Sequence, residues 1–154
     1  MSAMMMPAIF DLEETLDCGQ AFRWEEKDGH WQGFALGRYL QIERQGDNLA
    51  FHCSPEDFRE IWGHYFDLDT DYTQIRGELS AMSPILKEAV AFAPGIHILN
   101  QDPWEALCSF ILSQNNNIKR IKGIVARLCT CFGEPIPGGF AFPTPQALAA
   151  CTPE

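Results

Sequence analysis

This chain of 154 residues offers little that points to metal or redox chemistry. Its six cysteines, Cys18, Cys53, Cys108, Cys129, Cys131 and Cys151, contain no C-x-x-C pair, and His30, His52, His64 and His97 lack the spacing of a ligand set. Reduced thiols buried on apolar stripes are expected, with a zinc site or disulfide framework as the minor alternative and no metal or cofactor. No run of eighteen apolar residues occurs, and the opening "MSAMMMPAIF" has neither a basic n-region nor a cleavage site. Neither membrane spanning nor export is expected, which makes a cytoplasmic location the expectation. Catalytic signatures are scarce as well: there is no G-x-S-x-G, no phosphate-binding glycine loop and no H-E-x-x-H. Lys27, Lys87, Lys119 and Lys122 have nothing in their local sequence to depress a pKa.

Positive charge is the scarcest commodity, with 11 Lys and Arg against 21 Asp and Glu and a net charge of −10. Overall acidity of this kind argues against non-specific nucleic-acid binding. The imbalance is uneven, however. Residues 1–93 carry 17 acidic and 7 basic side chains, a balance of −10, whereas residues 94–154 carry 4 of each. Lys119, Arg120, Lys122 and Arg127 fall within nine residues free of acids. Charge alone supports a solvated helix face and a phosphate-facing patch about equally.

What is present suffices for a core: 46% of residues are apolar and 12% aromatic. In the first half, "AIFDLEETL", "QAFRWEE", "HWQGFAL", "RYLQIERQ" and "NLAFHC" read as short strands separated by turn signals such as Lys27-Asp28-Gly29 and Gly46-Asp47-Asn48. Connections this short require antiparallel pairing. From Ser54 the period becomes helical. "SPEDFREIWGHYF" has an N-cap, a proline at the first helical position, and Phe58, Ile61, Trp62 and Tyr65 on one face. Two short helices follow, capped by Asp71 and Ser83.

"QDPWEALCSFILSQ" begins with Asp102 as N-cap, Pro103 at N1 and Glu105 at N3. Trp104, Leu107, Cys108, Ile111 and Leu112 form its stripe, and Ala106 and Phe110 lie off it, so this helix is expected to be buried on most sides. A second stripe, Ile118, Ile121, Val125, Leu128 and Phe132, ends at Gly133, a suitable C′ residue. "GEPIPGGFAFPTP" reads as a loop before a short helix opened by Thr144-Pro145, and Thr152-Pro153 repeats that start signal as if the chain had been cut.

Between the two long helices lies "SQNNNIKRI", residues 113–121. Asparagine competes for the backbone through its own side chain, so a break is expected there, but three amides exceed what a break needs. Uncharged amides beside arginine can also hydrogen-bond base edges and phosphates. The second informative stretch is "DCGQAFRW", residues 17–24, where a glycine precedes a strand carrying Phe22, Arg23 and Trp24. On local grounds it is a turn glycine before a core strand.

Taken together, "FDLEETLDCGQAFRW", "YFDLDTDY" and "NQDPWEALCSFILSQNNNIKRIKGIVARLCTCFG" resemble the 8-oxoguanine DNA glycosylase/AP lyases of the helix-hairpin-helix superfamily. The resemblance covers nearly the whole chain, although "GQ-FRW" alone is shared with alkylbase glycosylases. It implies an α+β fold: an antiparallel TATA-binding-protein-like sheet with helices over residues 1–95, then the first helices of an all-α glycosylase domain, truncated, over residues 96–154. It also implies base-excision repair of 8-oxoguanine opposite cytosine in damaged double-stranded DNA, by N-glycosylase and β-elimination lyase chemistry. The family's catalytic lysine and aspartate lie beyond this chain, so no catalytic residue is assigned, and the chain alone is expected to be inactive.

Three positions carry over from the resemblance. Gly19 matches the glycine whose carbonyl recognises the lesion, and Asn115 and Arg120 match residues that hold the orphaned cytosine. Asn116 and Asn117 would instead shape the loop or touch the DNA backbone. Gln114 and the compact "FAPGIHIL" linker suggest a bacterial-type member. A non-catalytic TATA-binding-protein-like module and an alkylpurine glycosylase of the same superfamily are the competing readings.

Overall fold

The computed structural model describes residues 3–151, so the start signal at Thr152-Pro153 lies outside the described residues. Five strands form one antiparallel sheet: β1 (Met4–Pro7), β2 (Trp24–Lys27), β3 (His30–Ala35), β4 (Arg38–Gln45) and β5 (Asn48–Phe51), in the order β1-β5-β4-β3-β2. The turns that join β2, β3, β4 and β5 use left-handed backbone at Asp28, Gly29, Leu36, Gly37 and Gly46. Such conformations close tight hairpins with the twist the strands require. Helices accompany the sheet, giving the α+β class that was expected.

The chain separates into two compact units that are discontinuous in sequence. One comprises residues 1–20 and 44–100, the other residues 21–43 and 101–154.

In the first unit, residues 8–16 correct the sequence reading. The expected strand is replaced by a helix, α1 (Leu12–Leu16), with β1 lying upstream. Asp11 caps it by accepting a hydrogen bond from the Glu14 N–H at 2.9 Å, and Leu12, Thr15 and Leu16 turn inward at helical spacing. Five residues are too few for periodicity to distinguish helix from strand, and the cap decides.

The helix beginning at Pro55 also departs from its expected face. Turns α2 (Pro55–Asp57) and α3 (Gly63–Tyr65) flank a π-helical turn over Phe58–Trp62. That insertion advances the inward face, so Trp62, Tyr65 and Phe66 are buried while Phe58 and Ile61 are only half-buried. Phe66 stacks on Phe10 with centroids 5.3 Å apart and meets Phe51 edge-on at 5.7 Å. Each fully buried ring of this kind contributes about 1.5–3 kcal/mol by leaving water. α4 (Tyr72–Met82) and α5 (Pro84–Phe92) start at the expected caps, Asp71 and Ser83.

The second unit contains β2, β3, most of β4, and α6 (Pro103–Ser113), α7 (Ile118–Phe132) and α8 (Pro145–Ala149). Trp24 is buried over Gly33, where an added Cβ would meet the indole at 2.5 Å, so only glycine allows that close approach. Ile121, Val125 and Cys129 form the buried line of α7, packed by Phe22, Leu112, Phe140 and Phe142. Ile118 and Phe132, assigned to that stripe from sequence, are 40% and 42% exposed.

α6 is the larger correction: Leu107, Phe110 and Ile111 are 51%, 65% and 60% exposed, and Ser109 is its buried residue. Apolarity records a preference for burial, and no described residue covers that face. Gly133 differs too. It ends α7 with an extended backbone (φ −80°, ψ 149°), not the left-handed one of a C′ glycine. A Cβ there would lie 2.0 Å from the Ala141 carbonyl oxygen and 2.5 Å from that of Cys129, so the glycine serves close packing. The expected loop over residues 133–145 contains a small hairpin, β6 (Pro135–Ile136) with β7 (Gly139–Phe140).

All six cysteines are free thiols. Cys53 and Cys129 are buried and Cys108 half-buried, but Cys18, Cys131 and Cys151 are exposed, so the expectation of buried thiols holds for only part of the set. Among the described residues no three His, Cys, Asp or Glu side chains cluster as a metal site, and no helix is long and apolar enough to cross a membrane.

Candidate nucleic-acid interface

The connection between α6 and α7 gives each asparagine a different task. α6 closes with the Ser113 hydroxyl donating to the Phe110 carbonyl at 2.7 Å. Asn116 turns its amide back, donating from Nδ2 to the Leu112 carbonyl at 2.8 Å and to that of Gln114 at 3.3 Å. Asn117 is the N-cap of α7, its Oδ1 accepting from the Arg120 N–H at 2.9 Å. These two amides satisfy backbone groups that the helix ends leave open.

Asn115 is different. Its backbone is left-handed (φ 55°), a conformation asparagine tolerates better than most residues, and its side chain is exposed and hydrogen-bonds to no described residue. The Arg120 guanidinium is likewise exposed and unpaired among the described residues, although its backbone N–H is committed to the cap. Lys119 and Arg127 are exposed as well, whereas Lys122 is half-buried. The loop thus holds its shape through Asn116 and Asn117 and presents Asn115 and Arg120 to solvent.

Gly19 belongs to the other compact unit. It is half-buried and left-handed (φ 88°), in the segment that follows α1. The neighbouring Gln20 is tied down by three backbone groups: Nε2 donates to the carbonyls of Thr15 at 2.9 Å and His97 at 2.8 Å, and Oε1 accepts from the Leu99 N–H at 3.0 Å. Two carbonyls and one N–H also settle which end of the amide is which. Thr15 reinforces the join, its Oγ1 donating to the Gly95 carbonyl at 3.3 Å and accepting from the His97 N–H at 3.2 Å. His97 is buried, with Nδ1 2.9 Å from the Phe66 carbonyl and its ring stacked on Tyr72 at 3.8 Å. Burial, only partly offset by the Phe66 carbonyl and Asp67, holds the imidazole below its ordinary pKa, so it is a neutral packing element.

The second unit also contains a buried ion pair that sequence reasoning did not find. Arg23 Nη1 lies 3.5 Å from Glu105 Oε2, and the two side chains are 7% and 13% exposed. Nη1 makes no hydrogen bond, so this is a charge contact alone, while Nη2 donates to the Phe140 carbonyl and the guanidinium lies 5.2 Å from the Phe34 centroid. Burial pushes the Glu105 carboxyl up to about 7, against the pull of Arg23 and with a smaller push from Asp102. Arg23 also lines an open cavity of about 600 Å³ with Phe22, Phe34, Tyr39, Lys122 and Phe140. Phe22, Arg23 and Lys122, noted in the sequence, thus line it, whereas Gly19, Asn115 and Arg120 do not.

Comparison with known proteins bears on what this surface meets. The family described as 8-oxoguanine DNA glycosylase, N-terminal domain, matches residues 4–107. The chain belongs to that family. An N-glycosylase/DNA lyase of Saccharomyces cerevisiae is 32% identical over 160 residues, covering 90% of this chain and 42% of its own length. The Arabidopsis thaliana relative, N-glycosylase/DNA lyase OGG1, is 29% identical over 118 residues, 72% of this chain and 32% of that protein.

Among solved structures, MBOgg1 in complex with a low-affinity DNA ligand superimposes with a TM-score of 0.91 at 42% identity, over 99% of this chain and 55% of the other. The Clostridium acetobutylicum 8-oxoguanine glycosylase/lyase, bound to double-stranded DNA with cytosine opposite 8-oxoguanine, gives 0.89 at 36% identity over 98% of this chain and 55% of that one. The chain therefore spans about half the length of these structural relatives, and less of the curated ones.

Proposed function

We propose that this chain supplies the lesion-recognition half of a base-excision repair DNA N-glycosylase/AP lyase that acts on 8-oxoguanine opposite cytosine. The observation that carries the reading is that the Asn115 amide, just before α7, and the Arg120 guanidinium, in its first turn, are both exposed and unoccupied by any described residue. They stand in a chain that resembles, over 98% of its length, a glycosylase bound to DNA with that base opposition. The reading divides the chain into a TATA-binding-protein-like domain, residues 1–95, and the beginning of a helical glycosylase domain, residues 96–154. The catalytic lysine and aspartate belong to the part of the relatives' length that this chain does not span. Damaged duplex DNA is the partner, and the cytoplasm, at the nucleoid, is the working location.

The roles follow from hydrogen-bond polarity. 8-Oxoguanine bears a hydrogen on N7 where guanine has a lone pair. A carbonyl held against that atom, that of Gly19, accepts a bond from the lesion and faces a second acceptor in guanine. Glycine leaves room for the backbone to approach the base. Flipping the lesion out leaves cytosine with an exposed pairing edge. The amide of Asn115 can match its donor and acceptor, and the Arg120 fork can reach its acceptors. Asn116 and Asn117 hold the loop that presents them.

The test uses the complete gene product and the 154-residue chain side by side on duplexes carrying 8-oxoguanine or guanine opposite cytosine. Strand cleavage confined to the lesion duplex and to the complete product is expected. Cleavage by the 154-residue chain would show that the nucleophile lies within it, and preference for alkylated purines would favour the related alkylpurine activity.

A further inference from the structure

We infer that Gln20 is the positioning residue for the Gly19 carbonyl, so that specificity for the lesion depends on an amide that does not itself touch the base. The inference rests on the recognition role proposed for Gly19. The Gly19 carbonyl belongs to the peptide plane whose nitrogen is that of Gln20, so fixing Gln20 constrains the direction in which that oxygen points. Gln20 is fixed from both sides. Its Nε2 is held by the carbonyls of Thr15 on α1 and His97, and its Oε1 by the N–H of Leu99, at 2.8–3.0 Å.

Glycine itself needs such a restraint. At φ 88° Gly19 occupies a region it shares with many other conformations, and it has no side chain to hold it there. The adjoining Cys18 contributes one long thiol contact, 3.6 Å to the Thr15 carbonyl. The receiving surface is rigid. The Gly95 N–H donates to Glu14 Oε2 at 2.6 Å, Thr15 Oγ1 bridges the Gly95 carbonyl and the His97 N–H, and the His97 ring is stacked and buried. A carbonyl that discriminates one hydrogen on N7 has to be held in place before the base arrives.

Two variants of the complete gene product separate positioning from packing. Gln20→Met keeps the volume and removes all three hydrogen bonds; Gln20→Glu keeps the acceptor for Leu99 and removes both donors. Affinities are measured at one salt concentration for duplexes with 8-oxoguanine, guanine or a stable abasic analogue opposite cytosine, alongside thermal unfolding. The preference for 8-oxoguanine over guanine is expected to fall about tenfold in both variants, the scale of one well-formed hydrogen bond in a desolvated site. Abasic-duplex affinity, which needs no base reading, is expected to stay within about twofold.

An unchanged preference in a variant, when the unaltered protein has one, overturns the inference alone. Equal weakening on all three duplexes, or failure of both variants to fold, also overturns it, because Gln20 would then be a core element and not a positioning one. If the unaltered protein shows no preference, the glycosylase reading fails first, and this inference with it.

Discussion

Replacing Arg23 with methionine is expected to cost about 3–5 kcal/mol of folding stability near pH 8, and clearly less near pH 5. The larger figure is the usual cost of stranding one member of a buried ion pair. Glu105 supplies the pH dependence. Its carboxyl releases its proton near 4.5 in an ordinary setting and at about 7 in the folded chain. Between those values the native state binds more protons than the unfolded one, so stability falls as pH rises through the window. The contribution is fully present below 4.5 and gone above 7, and it amounts to about 3 kcal/mol from the displacement of the carboxyl.

Without Arg23 the main attraction that restrains this rise is lost, and the folded carboxyl holds its proton to still higher pH. The penalty of the variant therefore grows with pH, since a protonated Glu105 needs no countercharge. Adding Glu105→Gln to Arg23→Met should recover much of the loss near pH 8, because an uncharged pair leaves nothing buried and unpaired. Denaturant unfolding at both pH values checks this. An equal loss at each, or no recovery in the double variant, would remove the ion pair from the account.

Arg120→Ala in the complete gene product is expected to weaken discrimination for cytosine opposite the lesion by about 1–3 kcal/mol, the range of a good base contact. The substitution is clean in structural terms. Only the Arg120 backbone N–H serves the Asn117 cap, and alanine retains it. Binding or excision is compared for the lesion opposite cytosine and opposite adenine, at several salt concentrations. A contact to phosphate alone would weaken both duplexes alike and lower the salt slope by about 1, leaving the preference intact. That pattern would rule out a base-reading role for Arg120.

Several helix starts were legible because their signals are local. Asp102 with Pro103, Ser54 with Pro55, and Asp71 and Ser83 each cap where the sequence places them. The hairpins were legible for the same reason, through turn residues that tolerate positive φ. What escaped depends on partners distant in the chain or on a shift of phase. α1 is too short to show a period, and the π-helical turn displaced the inward face beyond Phe58 and Ile61.

Gly133 was read as a conformational glycine, but it is small because Ala141 crosses it. No spacing rule links Arg23 to Glu105 or Gln20 to His97 and Leu99, although Gln20 and Arg23 both lie in the "DCGQAFRW" stretch. In the asparagine loop, composition and spacing alone left the division of labour open. The resemblance set Asn115 apart from Asn116 and Asn117, and in the structure Asn116 and Asn117 hydrogen-bond backbone groups.

The left-handed backbone at Asn115 makes the choice of substitution matter. Alanine would remove the amide while keeping the Cβ that crowds the following carbonyl, a strain of about 1–2 kcal/mol that asparagine tolerates better through its short polar side chain and that glycine avoids. A loss seen in Asn115→Ala would thus mix a missing contact with a reshaped loop. Asn115→Gly deletes the contact and leaves the path of the chain accessible, and aspartate keeps the tolerance for that path while exchanging a donor for a second acceptor. The shape of this loop and the polar groups it presents can therefore be varied independently, at one position, by changes that a simple alanine scan would confuse.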